Sequence, residues 1–168
     1  AALYGSVYTL IVALFLQHKD VASDILYGLS VAIPLFFGVI FGPLAGLVTA
    51  LGGFLLGHAV SGAAPTWNNA AGLGLTGLLA GLAAFRTRRR SNKLAAFGTA
   101  LACAVPAILI GEGFADCSSI YVQGLSVSSA SINFLIFSLV ELASGLVLLP
   151  IALAIYYGVT RRKAHIAR

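Results

Sequence analysis

The chain has 168 residues, of which 60% are hydrophobic and 9% charged. Soluble domains carry about 25% charged residues, so a water-soluble globule is excluded. The apolar runs are too many and too long to be one buried core, and the composition predicts an all-α, polytopic membrane protein. The net charge of +5 raises nucleic acid or anionic lipid as partners. Its placement points to topology instead: Arg86, Arg88, Arg89, Arg90 and Lys93 form one cluster, and Arg161, Arg162, Lys163 and Arg168 another. No aromatic residues interleave with the basic cluster, so no nucleic-acid partner is expected.

In chain order, a first apolar span covers residues 1–16. No basic stretch precedes it, so no cleavable signal peptide is read there. Ala1, Gly5, Thr9 and Ala13 recur every fourth residue and form one small-residue stripe. Such a stripe lets another helix approach closely, either a partner's or one inside the bundle. A polar loop, 17–24, holds Lys19, Asp20 and Asp24. The next apolar run is longer than one span needs. Gly42-Pro43 divides it into spans at 25–41 and 43–60, since Pro ends a helix and Gly permits the turn. Pro34 marks a kink or an irregular segment in the first of these.

Gly42-x-x-x-Gly46, Gly53-x-x-x-Gly57 and Gly77-x-x-x-Gly81 have the spacing of tight helix contacts. The fourth span is expected at 68–85 and the fifth at 94–114, with Pro106 inside it. A polar loop is expected at 115–131. The sixth span follows at 132–157, with Pro150 near its end. Six spans place both termini and the loop at 86–93 on one side. That side then holds nine of the ten basic residues, counted from their positions, and the positive-inside rule makes it the cytoplasm. The chain thus reads as a single six-helix membrane domain over 1–168. Cys103 and Cys117 would be separated by roughly 21 Å of helix, too far to pair, so two free thiols are expected.

Depth along each helix follows from about 1.5 Å per residue. His58, Trp67, Asn68, Asn69, Glu112, Asn133 and Glu141 converge on the outer half of the bundle. Glu141 is the sharpest of them. An ionisable group in the hydrocarbon region faces the bundle interior or a cavity, as a ligand contact or as a hydrogen-bonded structural group. His58 is a ligand contact or a satisfied structural histidine. No second His stands at ligand spacing, so no metal site is read. Trp67 offers a stacking face for a planar ring, or an interfacial anchor. Asn68 and Asn69 offer paired donors and acceptors, though Asn68 also suits a helix N-cap. Asp116, Tyr121 and Gln123 rank lower, as parts of a cover. No catalytic or nucleotide-binding motif is present, so the chain is not read as an enzyme. A ligand-binding membrane subunit is the first reading. A self-sufficient small transporter or channel, and a structural subunit of a membrane complex, stand as alternatives.

Three stretches resemble one known family. FGPLAGLVTALGGFLLGH over 41–58 is similar to the Phe-Gly-Pro and Gly-rich third helix of substrate-binding S components of energy-coupling factor (ECF) vitamin transporters. Residues 65–81 resemble the Trp- and Asn-containing outer loop and Gly-rich fourth helix of several members. INFLIFSLVELASGLVLLP over 132–150 is similar to the last helix, which often opens with Asn. The resemblance implies a subunit of a prokaryotic plasma membrane that captures a vitamin or related micronutrient from outside. Its implied partners are a transmembrane T component and two cytoplasmic ATPases, which hold the ATP and Mg; this chain needs no cofactor. Helix one of the family presents small residues to the T component, a role that would fall to Ala1, Gly5, Thr9 and Ala13, with Gly and Thr where the family has Ala. The family's pocket location matches Trp67, Asn68, Glu112, Asn133 and Glu141. Thiamine, riboflavin and cobalamin all stay open as ligands, and the two carboxylates lean towards a cationic one.

Overall fold

The computed structural model describes residues 31–61, 66–87 and 93–166. The first span with its Ala1, Gly5, Thr9 and Ala13 stripe, the loop at 17–24, and Arg88, Arg89, Arg90 and Arg168 of the basic clusters lie outside the described residues. Every element described is a helix: α1 Ala32–Phe41, α2 Pro43–Ser61, α3 Trp67–Gly81, α4 Ala83–Thr87, α5 Lys93–Val122 and α6 Val127–Ile166. Three stretches are long and apolar enough to cross a membrane: Trp67–Thr87, Leu94–Val122 and Val127–Val159, with α1 and the greater part of α2 as shorter apolar helices. In hydrocarbon a spanning segment must satisfy its backbone internally, which a helix does.

The α1–α2 boundary falls at the expected Gly-Pro. Gly42 has φ 109°, a backbone that L side chains rarely adopt, and its N–H donates to the Gly38 carbonyl at 2.8 Å. Pro43 then opens α2 at the first helical position, where its missing N–H costs nothing. Pro34 lies in the first turn of α1, where the missing N–H is equally harmless, rather than interrupting its middle.

Helix α3 is the hub. It packs on α1, α2 and α5, while α6 lies against α5 and α1. Its contact with α2 is backbone on backbone: a Cβ added at Gly46 would run into the Gly77 carbonyl, and one at Gly81 into Pro43. On the other side Gly72 and Gly111 bring α3 equally close to α5. Small residues at such crossings permit the dispersion contact that drives helix association in lipid, where no hydrophobic effect operates between helices. Leu35, Val39, Phe54, Leu73, Ile108, Leu149 and Leu153 fill the core. Leu135, Leu139, Leu146, Ile151 and Ile155 of α6 face outward, as side chains do that meet lipid.

The polar loop expected at 115–131 is mostly helix. Helix α5 runs on to Val122 and α6 begins at Val127. Ser118 and Ser119 donate their hydroxyls to the Ala115 carbonyl at 2.9 and 2.8 Å, so these polar side chains are absorbed by the helix itself. The turn waits for Gly124, at φ 67°, after which the Ser126 hydroxyl caps α6 by accepting from the Ser129 N–H at 3.1 Å. The extension sets Glu112 well inside α5 rather than near its end.

Candidate functional site

The helix directions give the bundle two ends. One carries Gly42-Pro43, Arg86 and the start of α5. The other carries His58, Trp67, Asn68 and the α5–α6 turn. All seven side chains singled out in the sequence lie in the half towards this second end.

Helix α3 starts there. Its N-cap is Thr66, in an extended conformation and without a side-chain cap bond. Asn68 is not the cap: it lies in the first turn, 6% exposed, and reaches across to α5. Its amide N–H group donates to the Ser119 hydroxyl, to the Ala115 carbonyl at 3.3 Å and to the Asn69 side-chain oxygen at 3.1 Å. Its own oxygen accepts from Gln123 at 3.1 Å. Asn68 therefore clasps the start of α3 to the end of α5. Beside it Trp67 is 68% exposed, with its indole face open. His58 is half-buried one turn from the end of α2; Nδ1–H donates to the Phe54 carbonyl at 2.9 Å, and the ring stacks on Phe54 with centroids 4.1 Å apart. Asn133 is half-buried near the start of α6.

Deeper in the bundle the acidic residues meet. Glu141 of α6 is 1% exposed and Glu112 of α5 is 9% exposed. Their carboxyl groups face each other at hydrogen-bonding range, and Asp116 lies close to both. Apart from the Glu112 carboxyl, neither Glu141 oxygen has a partner among the described residues, and Asp116 Oδ2 has none. Ser138 and Glu141 are three residues apart on one face of α6; Ser138 is 4% exposed, and its hydroxyl is also unpartnered. Such groups are uncommon, because burying an oxygen without a donor forfeits its solvation. The arrangement brings Glu112 and Glu141 together and joins Asn68 to Asn69, but it leaves His58 tied to its own helix.

A family model described as the S component of the ECF-type riboflavin transporter matches residues 1–158. The chain belongs to this S-component family. No match was found among curated proteins or among solved structures. As an S component the chain is the membrane-embedded, substrate-binding subunit of an ECF transporter. That membership disfavours both the self-sufficient channel and the purely structural subunit. S components bind substrate for a transporter and are not enzymes.

Sequence reasoning missed Ser119 and Ser138 in this S component. Ser119 lay in the stretch read as loop, so its pairing with Asn68 had no register. Ser138 had a usable signal, the three-residue spacing that puts it on the same face of α6 as Glu141.

Proposed function

We propose that this S component captures riboflavin from outside a prokaryotic plasma membrane and hands it to a transmembrane T component driven by two cytoplasmic ATPases. The observation that carries the reading is the family match over residues 1–158, whose name moves the choice among the vitamins to riboflavin. In this reading the chain has six spans with both termini in the cytoplasm, and ATP and Mg are held by the partner ATPases alone. The ligand sits in the Trp67 half, in reach of His58, Trp67, Asn68, Asn69, Glu112, Asn133 and Glu141. An isoalloxazine ring is planar and carries both donors and acceptors. The exposed indole of Trp67 supplies a stacking partner of the right shape, and the Asn69 and Asn133 amides supply matching hydrogen bonds, with Asn68 holding the helices around them.

The test is a titration of the detergent-purified protein with riboflavin, read by quenching of the vitamin's own fluorescence. Tight, saturable binding is expected. Glu141→Gln and Trp67→Ala should each weaken it about tenfold or more, the size of one lost charged hydrogen bond or one aromatic contact, with the folded yield intact. Wild-type affinity in both variants removes these two residues from the site. Binding of another vitamin in place of riboflavin overturns the substrate and leaves the family role standing.

A further inference from the structure

The end of the bundle opposite Trp67 gathers cations that the candidate site does not use. Phe97 of α5 and Tyr157 of α6 meet edge to face there, with ring centroids 6.0 Å apart. Lys93 opens α5 one turn before Phe97. Arg161 follows Tyr157 by one turn on α6, which continues to Ile166. The two helices run in opposite directions, so positions 93 and 161 both lie one turn beyond the same aromatic contact, away from the membrane centre. Arg162 and Lys163 come next on α6. Arg86 lies at the end of α4, which packs on α5. Neither stretch, 86–93 or 161–168, contains an Asp or Glu. Like charges at neighbouring positions repel, and an anion shared between them removes that cost. The apolar residues say what kind of anion. Phe85 beside Arg86 and Leu94 beside Lys93 are both exposed. A small free anion makes no use of them, whereas an amphiphile covers them with its acyl chains.

We infer that this end of the S component binds anionic phospholipid headgroups. Lys93 and the basic run at 161–163 take the phosphates, and Phe85, Leu94 and the Phe97–Tyr157 pair lie at the level of the glycerol and upper acyl chains. Aromatic residues favour that depth at a membrane interface, and Lys or Arg just beyond them meets the anionic surface. Basic flanks orient a chain during insertion; gathered at one aromatic contact, they also select the lipids of the folded subunit. Neither riboflavin nor the side of the membrane enters, because a headgroup can be met in either leaflet.

For the test, the full chain is reconstituted in nanodiscs of equal parts phosphatidylcholine and phosphatidylglycerol and extracted into mild detergent. Native mass spectrometry then counts the lipids it retains. Wild type should retain phosphatidylglycerol over phosphatidylcholine about twentyfold or more, the product of two cations at about fivefold each. Lys93→Gln/Arg161→Gln should lower that preference at least about fivefold, while Arg161→Lys, which keeps the charge, leaves it unchanged. Gln is close to Lys and Arg in helix propensity, so the folded yield by size exclusion should hold. Should the double variant fail to fold, a high-salt wash of the wild type decides, since salt screens an exposed charge and should lower the preference in the same way. Equal retention of the two lipids by wild type overturns the inference, as does a preference that neither the double variant nor salt reduces. A double variant that keeps its lipid preference but loses partner subunits from the complete transporter would assign these cations to a protein contact and overturn it too.

Discussion

Asn68 spends its amide on three elements at once: Ser119 and the Ala115 carbonyl on α5, Asn69 on its own helix, and Gln123 in the turn. Truncating it removes the bond the buried Ser119 hydroxyl accepts, though that hydroxyl still donates to the Ala115 carbonyl, and releases the exposed Gln123 amide to solvent. Asn68→Ala should therefore cost about 1 kcal/mol, the net worth of a lost hydrogen bond rather than of an orphaned group. The check is thermal unfolding in detergent, where a lowered midpoint is expected and an unchanged one would show the clasp to be slack. Gln123→Ala, which removes one bond from a more exposed position, should cost less. The contrast with Trp67 is instructive. Adjacent in sequence, the two residues differ in what they can offer a ligand, since one has its polar groups committed to the protein and the other has its face open.

Among the helices, the α2–α3 seam has the sharpest consequences. Gly46→Ala puts a methyl group into the Gly77 backbone, which cannot yield as a side chain can, and should cost about 2–4 kcal/mol. Gly52→Ala on the same helix is the control, because nothing lies within 4 Å of its added carbon. Folded yield of the two variants, side by side, checks the seam; equal yields would mean that α2 and α3 are not in backbone contact. The seam and the Gly42-Pro43 boundary could both be read from sequence, because Gly and Pro act through their own backbone chemistry and need no partner. The end of α5 could not. ADCSSIYV over 115–122 looks like a loop by polarity, yet its serines bond back to the helix and only Gly124 turns the chain. The same limit applies to the site. Depth estimates grouped the polar residues in one half, but which of them touch depends on register across α5 and α6, and a single sequence carries no information on that.

At the level of the whole protein, membership of the S-component family divides the work between this chain and its partners. The small-residue stripe at Ala1, Gly5, Thr9 and Ala13 is our candidate for the surface that meets the T component. Thr9→Leu should block uptake in vesicles carrying the complete transporter and leave riboflavin affinity of the isolated chain unchanged. Loss of affinity as well would place the stripe inside the bundle. The apolar stretches bear on the surroundings too. Trp67–Thr87 has 21 residues and Val127–Val159 has 33, so at 1.5 Å per residue they measure roughly 32 and 50 Å. A hydrocarbon layer of about 30 Å suits the first and falls well short of the second. Helix α6 must lean steeply, or the lipids along its outward face must stretch to cover it, while those around α3 need not. Either response makes acyl-chain length a variable that acts on the subunit's inclination without touching its ligand.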